Sequence, residues 1–311
     1  ELARRHRCRL AVLDIVARPP EGAENLDLDA ERSAIRQRLA ATGERVTPAR
    51  VDAELAPLRR AKNAATALAG YRAVGAEVHY ESCDLSDPDA VARALDGVRR
   101  RFGRIDGLIH GAGVEESRPL ASKTAAGFDR VFRGKALGAL NLWALVRQDR
   151  PAFFTAFCSV AGRFGNEGQI DYSAANETTA RLVWEIVSNE PSTRALAIDW
   201  TGWDSIGMAV AGGMRTILVE RGVDLLPPEI GVPLAADLID RGAVGEVVVC
   251  GKLGALAQPR MASTRALSDP NRGLLGGEAA ESLLGGEPAE SLRGRGQPAA
   301  SSPGAPRPEG R

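Results

Sequence analysis

An α/β fold, with a doubly wound parallel sheet, is predicted by three features of this 311-residue chain. Short apolar runs alternate with longer stretches of helical periodicity. The apolar runs are continuous rather than alternating, as strands buried on both faces must be. Glycine clusters follow several of the runs, where the backbone must turn or come close to something flat. Lys plus Arg and Asp plus Glu are 40 each, so the formal net charge is zero. Nothing in that balance points to nucleic acid or an anionic membrane. No apolar run approaches the ~18 residues that a membrane span needs, and the N-terminus does not read as a signal peptide. Cys8, Cys83, Cys158 and Cys250 are scattered and read as buried free thiols of a reducing, cytoplasmic compartment. His6, His79 and His110 have no metal-ligand spacing, so no metal is expected.

In chain order, Glu1 to Arg7 is charged and helical, and Arg9 to Ile15 is a short strand. A dinucleotide fold ordinarily begins one strand earlier, with a glycine-rich turn whose helix N-terminus holds the pyrophosphate. No such turn precedes Leu10. The sheet is therefore expected to lack its first strand and glycine-rich loop. After the strand, Asp14 suits a free ribose 2′-hydroxyl, while Arg18 suits a 2′-phosphate.

Residues 24–73 form an insertion with two helical patterns, Asp27 to Ala41 and Pro48 to Val74. Thr47 followed by Pro48 is a helix start. Glu77 to Leu85 reads as a strand, and Ser86-Asp87-Pro88-Asp89 caps a helix that Gly103 stops. Gly107 to Val114 is a buried strand running into the small-residue turn Gly111-Ala112-Gly113. His110 within it reads as a satisfied core histidine.

Phe153 to Cys158 is an apolar run that ends at a hydroxyl, Ser159. A loop with Gly162, Gly165 and Gly168 follows, and Tyr172 then opens an alanine-rich helix. Asn176 lies at i+4 from Tyr172 and shares its helical face. A phenol has an unperturbed pKa of about 10, and a nearby ammonium would favour the phenolate and lower that value. A serine could then hold a carbonyl while the phenol gives it a proton.

This arrangement resembles the active-site segment of the short-chain dehydrogenase/reductase superfamily. Most of that superfamily has Tyr-x-x-x-Lys, whereas Asn176 stands here in the lysine position. In ketoreductase domains of type I polyketide synthases the two residues exchange places. Lys135, before Gly138-Ala139-Leu140-Asn141-Leu142, sits where those domains carry the lysine. The chain thus resembles the ketoreductase of polyketide and polyunsaturated-fatty-acid synthases over roughly residues 1–256, with its specific motifs between Asp84 and Met208. The insertion resembles the polyunsaturated-fatty-acid type more than the modular type; as residues alone it reads as a helical pair or a docking surface.

The resemblance implies a Rossmann-type fold and four catalytic residues, Ser159, Tyr172, Lys135 and Asn176. It implies cofactor contacts from Asp84, Leu85, Gly111, Ala112, Gly113, Lys135, Tyr172 and Thr201. NADPH is the implied cofactor, with NADH left open by Asp14. The implied substrate is a β-ketoacyl thioester on an acyl carrier protein, beside other synthase domains. Thr201-Gly202-Trp203-Asp204-Ser205-Ile206-Gly207-Met208 matches a family segment near the nicotinamide amide, followed by a helical lid; the tryptophans read equally as core anchors. Two family fingerprints of product configuration are absent: Glu115-Glu116-Ser117 replaces Leu-Asp-Asp, and Phe164 stands in place of a tryptophan. A non-catalytic reductase fold, kept for architecture, is the rival reading.

Residues 1–260 are expected to form the reductase-like domain. Residues 261–311 carry a tandem repeat, Leu274 to Ser282 and Leu283 to Ser291, rich in Gly, Pro, Ser and Glu. Such a tail cannot bury enough surface to offset its ordering entropy, so disorder is expected there.

Overall fold

The computed structural model describes residues 1–43, 45–208 and 214–254. The expectation of a disordered tail over 261–311 falls outside the described residues, as do 209–213 of the expected lid. Six strands are described: β1 (Leu10–Asp14), β2 (Val78–Ser82), β3 (Gly107–His110), β4 (Phe153–Ser159), β5 (Arg194–Trp200) and β6 (Gly245–Val249). All pair in parallel, β1 with β2 in one sheet and β3-β4-β5-β6 in another. In a doubly wound sheet of order 3-2-1-4-5-6, the break falls where strand 1 would lie. Among the described residues nothing pairs with the free edges of β1 and β3.

The helices are α1 (Leu2–His6), α2 (Leu28–Ala41), α3 (Pro48–Ala73), α4 (Pro88–Phe102), α5 (Ala125–Phe132), α6 (Gly138–Val146), α7 (Val160–Phe164), α8 (Ile170–Asn189), α9 (Met214–Glu220) and α10 (Pro228–Asp240). Their starts follow from the caps: Asp27, Thr47 and Asp87 each accept from backbone N–H groups in the first turn. Gly103, at φ 81°, ends α4 in a conformation that other residues resist. The glycine-rich stretch after β4 is not all loop, because Ser159 caps the short helix α7 before Gly165 turns the chain.

β5 shows why the sheet is central. Its Ala195 and Ala197 pack with α6 and α8 on one face, while Leu196, Ile198 and Trp200 pack with α10 on the other. Alternate residues point to opposite faces, so both must be apolar. The two sheets share one roof, since Leu13 of β1 and Leu108 of β3 both join the cluster under α4 and α6. α1 is tied to α10 through Arg5, which reaches Asp237 at 2.7 Å and Asp240 at 2.9 Å. The insertion is a helical pair with its own small core of Ile35, Leu39, Val51 and Leu55. The cysteine expectation needs correction: Cys83 and Cys158 are buried, but Cys8 and Cys250 are only partly so.

Candidate active site

The C-terminal ends of β3, β4 and β5 open onto a cavity of about 300 Å³. Ligands in open α/β sheets bind at that edge. Gly111, Gly113, Lys135, Ser159, Tyr172 and Thr201 line it together. They come from the turn after β3, the helix before β4, the end of β4, the start of α8 and the turn after β5. The chain therefore brings these six expected residues to one place. Asp84, Leu85, Ala112 and Asn176 do not line this cavity. Asp84 is exposed and its Oδ1 accepts from the Ser86 N–H at 2.9 Å. Leu85 and Ala112 pack into the core under α4 and α6.

Lys135 reaches the site through a local irregularity. Residues Arg133–Leu137 form a π-helical turn between α5 and α6, a device that recurs at functional sites. The lysine is 3% exposed and its Nζ donates to the Phe157 carbonyl at 2.6 Å. Burial pulls its pKa below the usual lysine value, with Cys158 and Asp199 opposing the shift. An ammonium has three donors, so two remain for a ligand. His110 supports the same turn from below, its Nε2–H donating to the Lys135 carbonyl at 3.0 Å. Burial and the neighbouring ammonium push the imidazole down to about 3, which keeps it neutral. The expectation of a satisfied histidine is corrected by half, since buried Nδ1 has no partner among the described residues.

Ser159 ends β4 and its Oγ accepts from the Ala161 N–H at 3.2 Å. Asn176 is fully buried and donates from Nδ2 to the Tyr172 carbonyl at 2.8 Å, one helical turn back. Its Oδ1 has no partner among the described residues. Gly162 is what lets α7 lie against α8: a Cβ there would come within 2.8 Å of the Asn176 Cβ and 3.1 Å of the Glu177 nitrogen.

The phenol itself is governed by its burial. Burial pushes Tyr172 up to about 12, Glu115 and Cys158 add to that, and hydrogen bonding from Ser159 and Asn176 only pulls part of it back. The chain's own residues therefore do not lower it by themselves, because desolvation of a phenolate outweighs the donors around it.

Thr201 contributes shape, its hydroxyl donating to the Asp224 carbonyl at 3.0 Å. Of the two tryptophans, Trp200 is a core anchor and Trp203 packs on it with the rings tilted by 52° and their centroids 4.9 Å apart. Both also line the cavity, as do Met208 and Leu218 of α9. Glu115, Asn166 and Gln169 form a polar wall that sequence reading did not assign to the site. Gln169 donates to Glu115 Oε1 at 2.9 Å and to Ser117 Oγ at 3.1 Å. Only the nearness of Gln169 to Tyr172 could have signalled it.

These residues fit the nicotinamide-ribose end of a dinucleotide. Lys135 is a buried ammonium with donors to spare, Gly111 has open space where a Cβ would stand, and Trp200 Nε1 is a buried donor with no partner among the described residues. Fold and site together define a short-chain dehydrogenase/reductase-type oxidoreductase domain. A family model described as "KR domain" matches residues 31–205. The chain belongs to the ketoreductase domains of polyketide and polyunsaturated-fatty-acid synthases.

Among similar proteins, one subunit of the polyunsaturated fatty acid synthase of Thraustochytrium sp. is 28% identical over 211 residues, 68% of this chain and 7% of that protein. Erythronolide synthase EryA2 of Saccharopolyspora erythraea is 31% identical over 175 residues, 56% of this chain and 5% of that one. The chain thus spans a small part of the synthases it matches. A crystal structure of a ketoreductase domain from the bacillaene assembly line is 29% identical, with a TM-score of 0.55 over 61% of this chain and 46% of that chain.

Proposed function

We propose that this chain reduces a β-ketoacyl thioester, carried on an acyl carrier protein, to the β-hydroxyacyl thioester. The observation that carries the reading is the convergence of Ser159, Tyr172 and Lys135 on one cavity. A reduced nicotinamide, NADPH by family precedent, would supply the hydride to the β-carbon. Ser159 holds the carbonyl oxygen by its hydroxyl. Tyr172 donates its phenolic proton to that oxygen as negative charge develops there. A phenol at about 12 is fully protonated near neutral pH, which suits an acid. Lys135 offers its two spare donors to a ribose and steadies the phenolate once the proton has left. The resemblance gives Asn176 a relay water, but the residue is buried outside the lining of this cavity, and its part here is to brace the first turns of α8 through the Tyr172 carbonyl. Pre-placed donors around the developing alkoxide supply most of the rate gain.

Asp14 Oδ1 accepts from the Val16 N–H at 3.0 Å, so its carboxylate is partly committed, and Arg18, further along the chain, is exposed. Family precedent is what favours NADPH, and this stretch leaves NADH compatible. Other synthase domains are the natural partners, because the matched relatives are multidomain chains of which this one spans a few per cent. A non-catalytic reductase fold, kept for architecture, is the reading against which this one is tested.

The test is oxidation of NADPH, and of NADH beside it, with a short β-ketoacyl thioester. It is run on the chain as it stands and on the chain joined to a strand and glycine-rich turn that fill the gap between β1 and β3. Tyr172→Phe should lower turnover by about 10²- to 10⁴-fold, the range for a positioned acid. Folded protein with no turnover in either form, or a Tyr172→Phe variant as fast as its parent, would leave the non-catalytic reading.

A further inference from the structure

A buried ion pair holds the backbone next to Tyr172, outside the lining of the cavity and unused by the chemistry above. Lys123 Nζ lies 2.6 Å from both carboxylate oxygens of Asp171, with side chains 7% and 1% exposed. The same Nζ donates to the Glu116 carbonyl at 2.6 Å. Asp171 Oδ1 also accepts the backbone N–H of Tyr172 at 2.9 Å. One pair thus clamps two backbone segments, the 115–118 stretch after β3 and the first turn of α8. Two further links run alongside it: the Arg118 N–H donates to the Gly168 carbonyl at 3.0 Å, and Gln169 holds Glu115 and Ser117.

Burying an ion pair is a poor way to gain stability, since desolvating two charges offsets most of their attraction. A hydrophobic pair of the same volume would hold the two segments together as well. It would not fix the direction of the Tyr172 N–H or the height of the Glu116 carbonyl. Charge-assisted hydrogen bonds do both, because they are short and directional.

We propose that Lys123 and Asp171 are positioning residues, which set the Tyr172 phenol against Ser159 by locking the first turn of α8 to the wall that carries Glu115. The proposal rests on the reductase reading for its consequence in turnover, and on geometry alone for its consequence in the resting chain. A misplacement of about 1 Å at a reacting group can cost about a hundredfold in rate.

Asp171→Asn keeps the shape and removes the charge, Lys123→Met removes the ammonium, and Lys123→Arg keeps the ion pair. In the reductase assay the first two should lose about 10- to 100-fold in kcat, with KM within about threefold of the parent. Their solvent deuterium isotope effect on kcat should rise, because a misplaced acid makes proton transfer slower. Lys123→Arg should stay within about threefold of the parent in kcat. A pair that merely braces the fold would lower the melting temperature and leave kcat per folded molecule and the isotope effect unchanged, and that result overturns the proposal. A folded Lys123→Arg as slow as Lys123→Met overturns it too.

If Lys123→Met does not fold, Asp171→Asn and Lys123→Arg carry the comparison. A second readout needs no turnover. With ring-labelled tyrosine, of which the chain has three, the Tyr172 carbon resonance is assigned by its loss in Tyr172→Phe. It should move in Asp171→Asn and Lys123→Met and stay in Lys123→Arg. An unmoved resonance in all three refutes the positioning role even if the chain proves inactive, while an inactive parent with the expected shifts sinks only the reductase reading.

Discussion

Burial holds the Tyr172 phenol at about 12, so in the chain itself it is protonated near neutral pH. The same desolvation acts two strands away on a pair of carboxyls. Asp199 Oδ2 on β5 and Glu246 Oε1 on β6 are both buried, and among the described residues no other group donates to them, so these two oxygens have only each other. Two adjacent carboxylates cannot both ionise at low cost, so one keeps a proton. Asp199 keeps it, pushed up to about 8 by burial and by the Glu246 carboxylate. Burial works against the ionised form of Glu246 as well. Hydrogen bonds from Trp184, whose Nε1 lies 3.1 Å from Oε2, and from Asp199 nevertheless hold it below its usual value.

The folded value of Asp199 lies above the unfolded one of 3.8, so the unfolded chain gives up this proton first as pH rises. The stabilisation is full below about pH 4 and is lost as pH climbs through about 8. Urea midpoints should therefore fall between pH 5 and 8, and Asp199→Asn should flatten that slope. A parent midpoint that stays constant across this range would dispose of the shared proton.

At the scale of elements, the site depends on how closely α7 and α8 approach. Gly162 permits it, since a Cβ there would meet the Asn176 Cβ at 2.8 Å and backbone at 3.1 Å. Gly162→Ala should push α7 outward and carry Ser159, its cap, away from Tyr172. The expected cost is about 1–3 kcal/mol in urea unfolding, as for other overpacked contacts, together with a clear loss of turnover. A variant with unchanged stability would show that the two helices can part without strain.

The elements themselves were legible because their signals are local. Thr47-Pro48 and Asp87-Pro88 start helices where their side chains cap the first turn, and Gly103 ends one by its positive φ. The π-helical turn at Arg133–Leu137 was not legible. Its sequence reads as ordinary helix, and what supports the turn, His110 on the Lys135 carbonyl and Leu85 packed close to Gly138, comes from distant parts of the chain. The helical start of the loop after Ser159 was missed for a similar reason, three glycines being read as a wholly open turn.

Across the whole molecule, the sheet is strongest at β4 and β5, which are paired on both sides and covered on both faces. β1 and β2 form a two-stranded ladder joined to the rest through the shared roof of α4 and α6. Local stability tracks buried contacts and paired backbone. Amide exchange should therefore be slowest at residues 195–199 and faster by orders of magnitude in residues 10–14. Equal protection in the two regions would mean that the unpaired edge costs nothing. A supplied strand that fills the gap should slow exchange in β1 and β3 together.

The sequence by itself determined the parallel α/β fold, because periodicity, caps and spacing are properties of neighbouring residues; Lys135, Ser159 and Tyr172 were singled out by resemblance, and the fold brings them to one cavity. Tertiary structure alone decided the rest. Glu115 and Gln169 became a cavity wall, Asp199 became the partner of Glu246, and Lys123 came to rest on Asp171. Each pairs residues distant along the chain whose types, taken singly, are ordinary. The direction of the Tyr172 shift belongs there too, since burial is a sum over everything packed around a group and no stretch of sequence contains it.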